Sequence, residues 1–189
     1  MSRPFPPAVG FFLLGQAVFY VFVAVEIAAR PAGLVRNHGL CYYELFRNTT
    51  PLYVMGLIIA GLLHFQAIRL LPVKDKLSGA VSTMFQWMGV CLIGMICAPI
   101  VLGKWLGYIH VLFGSSLFVL QLGLAVRLFV GSRSGAAAGL LGLQFLSGLV
   151  CILSLVHRLA YQIEGQIVFQ IAFGLQMLKY LLTTGASPA

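Results

Sequence analysis

The sequence predicts an all-α fold: a polytopic membrane protein whose residues 1–189 form a single integral membrane domain, a six-transmembrane-helix bundle. Three observations carry this. Six apolar stretches follow one another, each about the 20 residues needed to cross a hydrocarbon core. Only 8% of the residues are charged, against about 25% in a soluble domain. Nearly all of that charge falls in the gaps between the apolar stretches. In lipid the backbone must satisfy its own hydrogen bonds, so spans of this length are helices. The short alternating segments of a membrane barrel are absent.

The spans are 8–29, 52–71, 79–102, 105–130, 136–157 and 160–182. The first has a longer apolar run than the 7–15 residues of a secretory leader and reads as a retained helix. The second opens behind Pro51, a residue tolerated in a first helical turn. The third contains Pro99, which removes a helix hydrogen bond and should kink or end that helix. Gaps 72–78, 103–104, 131–135 and 158–159 are short enough to force antiparallel neighbours. Gap 30–51 is the exception, long enough for structure of its own. The pairs Gly103/Gly107 and Gly135/Gly139 are expected to let helices approach closely.

The net charge of +8 is scattered over the gaps and forms no basic patch, so nucleic acid is not an expected partner. The charge instead bears on orientation. With the N-terminus inside, Arg3, Arg69, Lys74, Lys76, Arg127, Arg133 and Lys179 face the cytoplasm, and Arg30, Arg36, Arg47, Lys104 and Arg158 face out. Seven against five favours N-in and C-in, in a plasma (inner) membrane.

That orientation gives each ionisable residue a depth. Glu26, His110, His157, Arg158 and Glu164 fall at outer helix ends, and the long loop adds Arg36, His38, Glu44 and Arg47. Ionisable residues in a span are costly and mark sites, although end-of-helix pairs such as Glu26–Arg30 also arise for structural comfort. Gln162, Gln166 and Gln170 recur every four residues and line one face of the last span. They are either interhelical bonds or the wall of an outer cavity.

Cys91, Cys97 and Cys151 lie in spans, where cysteine is usually a small hydrophobe. Cys41 is alone in the largest gap, an isolated thiol that reads first as inert and second as reactive. His110 and His157 share an outer depth and are the metal candidates, whether for haem or for a zinc or copper ion. His64 lies about 12 Å deeper than His110, without a partner at its level. No G-x-S-x-G, H-E-x-x-H or P-loop pattern is present, so no catalytic residue is assigned.

The run Asn37-His38-Gly39, then Tyr42-Tyr43, then Asn48-Thr49-Thr50-Pro51, resembles a pattern in small bacterial membrane proteins of unknown function. With the six-helix layout and structured first outer loop, the chain is similar to the DRAM/Sfk-like group. That resemblance implies a non-enzymatic membrane role. The expected function is binding of a lipid, small amphipathic ligand or partner protein at an outer-leaflet polar pocket. A haem- or metal-dependent redox protein, or an accessory subunit meeting other membrane subunits, remains open beside it.

Overall fold

The computed structural model describes residues 6–35, 39–157 and 159–185. It is all-helical, with six long helices: α1 (Pro7–Ala29), α2 (Thr50–Arg69), α3 (Lys76–Cys97), α4 (Lys104–Ser132), α5 (Gly135–His157) and α6 (Gln162–Gly185). All six are long and apolar enough to cross a membrane, which makes the chain a multi-pass membrane protein. Large hydrophobic side chains such as Leu62, Ile93, Leu112, Val119, Leu146 and Val156 point outward, as a lipid-facing surface requires.

The helices pack as three antiparallel hairpins, α1 with α2, α3 with α4 and α5 with α6. Contacts of α2 with α3, α4 with α5 and α1 with α6 close the ring. Val9, Phe12, Phe85, Leu124, Phe173 and Met177 sit in its core. Residues 30–35 and 39–51 fold over one end, hereafter the cap end, with two 3-10 helices, Pro31–Val35 and Gly39–Leu45. Tyr42 and Tyr43 anchor this cap by packing on Ile163 at the start of α6. Thr49 and Thr50 fix its exit: their hydroxyls donate to the carbonyls of Tyr43 and Glu44 at 2.5 and 2.8 Å.

Several boundaries have visible causes. α3 starts at a capping box, with the Asp75 carboxylate accepting from the Ser78 amide at 2.7 Å and the Ser78 hydroxyl accepting from the Asp75 amide at 3.0 Å. It stops at Cys97 ahead of Pro99, and the chain continues as a 3-10 turn over Ile100–Leu102. Pro99 thus ends the helix rather than kinking it.

The close helix approaches fall elsewhere than the four-residue glycine spacing suggests. A Cβ at Gly103, Gly135 or Gly139 would meet nothing within 4 Å. Tight glycines include Gly56 against Phe22, Gly61 against Leu92, Gly94 against Phe113, Gly148 against Phe118 and Gly165 against Cys151. Spacing marks a helix face but does not say which face is buried.

Candidate functional site

The polar residues of the bundle separate into a structural set and a cap-end set. The structural set is made of glutamines. Gln121 and Gln170 pair reciprocally across α4 and α6, at 3.0 and 2.9 Å. Gln144 donates to the Gln176 side-chain oxygen at 2.7 Å, and Gln176 donates to the Ala125 carbonyl at 2.8 Å, joining α4, α5 and α6. Gln16 meets His64 at 3.1 Å. Gln166 turns to the cap, accepting from the Leu40 amide at 2.7 Å. Gly39 beside it has φ +61, where a side chain is strained, and a Cβ there would crowd the Gln166 amide group. The members of the α6 stripe therefore serve different neighbours rather than one cavity wall.

At the cap end, Glu44 and His110 come together with a residue the sequence left isolated, Cys41. The Gly39–Leu45 segment is a 3-10 helix, in which residues three apart are eclipsed. Cys41 and Glu44 therefore project on the same side, about 6 Å apart along the axis at 2.0 Å per residue. The imidazole of His110, carried by α4, lies between them. Its Nδ1 is 3.3 Å from Glu44 Oε2 and 3.1 Å from the Met95 carbonyl oxygen. Its Nε2 is 3.2 Å from Cys41 Sγ. A carbonyl can only accept, which assigns a proton to Nδ1; in the neutral ring Nε2 is then the acceptor from the thiol. The Tyr53 hydroxyl stands 3.6 Å from the same sulfur, and the Ile100 amide donates to Glu44 Oε1 at 3.1 Å.

His110 and Glu44 are 1% and 2% exposed. Cys41 keeps partial exposure as a residue. Desolvation nevertheless pushes its thiol up to about 11, with the Tyr53 hydrogen bond opposing and the Glu44 charge adding to the rise. Burial likewise raises the Glu44 carboxyl above the usual carboxylate range, against the pull of His110 and the Ile100 amide. The arrangement sets the Cys41 thiol, the His110 imidazole and the Glu44 carboxyl group in a line.

A second cap-end cluster lies around Tyr43. Tyr43 is fully buried, Glu26 on α1 is 2% exposed, and the Tyr43 hydroxyl has no hydrogen-bond partner among the described residues. Desolvation, then the charges of Glu26 and, further down, Glu164, push that hydroxyl up to about 12. The Gln162 side-chain oxygen at the start of α6 is also buried without a partner among the described residues. Arg30 does not pair with Glu26; its guanidinium lies 3.4 Å over the Phe46 ring. A guanidinium stacked in this way keeps its N–H edge available.

The remaining expected site residues are dispersed. Arg47, His157 and Glu164 are exposed. Arg36, His38 and Arg158 lie outside the described residues. His110 has both ring nitrogens engaged, so a metal bond to either would displace Cys41 or the Met95 and Glu44 oxygens. No group of three or more His, Cys, Asp or Glu side chains suited to a metal occurs among the described residues. Glu44 and Cys41 sit on opposite edges of the imidazole, so they share no common ligand point. A groove of about 560 Å³ between α3 and α4, walled by Trp87, Leu112, Phe113 and Val119, is apolar and faces the lipid side.

Tyr53 and the Met95 carbonyl were not legible as part of the cluster, because a tyrosine and a methionine in apolar spans carry no polar pattern. The three-residue spacing of Cys41 and Glu44 was the available signal, and it places them on one side only if the loop is 3-10. Comparison of the chain with family models, curated proteins and solved structures finds no significant match, so its function is argued from this geometry.

Proposed function

We propose that this integral membrane protein binds a lipid, or a similar small amphipathic molecule, at the cap end. The observation that carries the reading is the buried pair of Glu26 and Tyr43, with a tyrosine hydroxyl that has no partner among the described residues. An unsatisfied buried polar group costs about 1–3 kcal/mol. A ligand hydroxyl or amine reaching Tyr43 and Glu26 removes that cost. The rim is basic, with Arg30 stacked on Phe46 and Arg47 exposed. Acidic depth under a basic rim complements a zwitterionic headgroup, its phosphate on the arginines and its amine toward Glu26. We place the cap end in the outer leaflet of the plasma (inner) membrane, with both termini cytoplasmic. Kinship with the DRAM/Sfk-like group is part of the same proposal, on the six-span layout and the capped first loop.

Native mass spectrometry of the full chain in mild detergent tests this, with phosphatidylethanolamine and phosphatidylglycerol added at equal concentration. Preferential retention of the amine-bearing lipid is expected, with the preference falling at least about fivefold in Glu26→Gln, roughly 1 kcal/mol. Equal retention of the two lipids by the unaltered chain would refute the reading.

A further inference from the structure

We propose that Cys41 and His110 form a thiol–imidazole acyl-transfer site at the cap end, with Glu44 as positioning residue, which accepts an acyl group from an activated acyl ester or thioester. This goes beyond lipid binding and stands without it, since neither Glu26 nor Tyr43 takes part.

A nucleophile, a base and an orienting group in hydrogen-bond sequence is the arrangement that nucleophilic catalysis requires. Here Cys41 Sγ is hydrogen-bonded to His110 Nε2 at 3.2 Å, and the Nδ1 hydrogen bond goes to the Met95 carbonyl at 3.1 Å, which orients the ring. Glu44 Oε2, without a hydrogen-bond partner among the described residues, stands at ion-pair distance from Nδ1, 3.3 Å. The alternative is a set of buried groups joined only for satisfaction. Two features favour chemistry. The Cys41 thiol needs no acceptor when an apolar side chain would fill its place more cheaply. Of the three residues, Cys41 alone keeps partial surface exposure, its thiol lying buried beneath, whereas His110 and Glu44 are sealed.

The step balances without an oxidant or reductant. Cys41 Sγ gives its proton to His110 Nε2 as it attacks the acyl carbonyl carbon. The S–C bond forms, and the C–O or C–S bond of the donor breaks. The departing alkoxide or thiolate takes the proton from Nε2. The product is an S-acyl Cys41 thioester and a free alcohol or thiol, and water or an acceptor hydroxyl then takes the acyl group by the reverse proton path. With the thiol held near 11, the sulfur is protonated until attack, so the base must act in the same step. The Tyr53 hydroxyl supplies an O–H beside the reacting sulfur.

The test uses the full chain in detergent micelles with palmitoyl-coenzyme A as the donor. Peptide mass spectrometry reads hydroxylamine-labile acylation at each cysteine over time. Cys97 is exposed and serves as the internal control for unassisted reaction. Cys41 is expected to acylate at least about tenfold faster than Cys97, although its thiol is the more buried. In His110→Gln, Cys41 should slow about 100-fold or more while Cys97 is unchanged. Acylation of Cys41 no faster than Cys97 in the unaltered chain overturns the proposal, as does a His110→Gln chain with the ratio intact. The ratio in the unaltered chain decides the matter even if the variant misfolds. Lipid retention is measured without an acyl donor, so failure of either reading leaves the other standing.

Discussion

Asp75 shows how one side chain sets where a membrane helix begins. Its carboxylate accepts from the Ser78 amide at the N-terminus of α3, and the Ser78 amide and hydroxyl bonds hold its pKa below the usual carboxylate range. A depressed folded-state pKa contributes stability above the unfolded value, near 3.9, that is lost as pH falls through the folded value. The acid limb of thermal unfolding in micelles should therefore carry a contribution from Asp75. Asp75→Asn keeps a capping acceptor but does not titrate. Its melting temperature should fall less steeply between about pH 4 and pH 2 than that of the unaltered chain. Parallel acid limbs in the two proteins would show that the carboxylate charge contributes nothing there. The same attention to single residues separates Glu44 from Glu164: both are acids at the cap end, yet one is sealed against His110 and the other is exposed. Sequence depth alone gave them equal standing.

Helix pairs in lipid gain little from apolar burial, because the lipid is as apolar as the partner, so close backbone approach and side-chain hydrogen bonds decide which faces meet. In α5–α6 that approach is at Gly165, where a Cβ would lie 2.7 Å from Cys151 Sγ and 3.0 Å from the Ser147 carbonyl oxygen. Gly165→Ala should force the helices apart, disturb the Cys151-to-Gln162 contact at 3.6 Å and cost about 1–3 kcal/mol. Gly139→Ala, on α5 with nothing within 4 Å, should be neutral or gain up to about 1 kcal/mol from helix propensity. Thermal unfolding of the two variants in one detergent measures the contrast, and equal shifts would show that Gly165 is no contact point. This contrast is also where sequence reading stopped. The apolar lengths and prolines placed all six helices, and glutamines in apolar spans marked faces turned to protein. Gly135/Gly139 has the spacing of a contact and none of the contact, because uniform hydrophobicity hides the inward side.

Across the whole molecule, the helical bundle was readable because length and apolarity are local properties, whereas the Cys41–His110–Glu44 line was not. It joins residues 69 positions apart through a loop whose 3-10 period apolar spacing cannot reveal. Charge bears on which side of the membrane that line faces: seven basic residues against five favour the proposed placement of the cap end outside, a modest bias under the positive-inside rule. Single added thiols resolve it. Lys74 and Asn48 are both exposed, Lys74 in the α2–α3 turn and Asn48 between the cap and α2. In intact bacterial cells a membrane-impermeant maleimide should label Asn48→Cys above the parent chain's background, and Lys74→Cys only after lysis. The opposite pattern would invert the bundle. It would put Glu26, Tyr43 and Cys41 at the cytoplasmic leaflet, and would exchange an extracytoplasmic ligand for a cytoplasmic one without altering a single contact within the bundle.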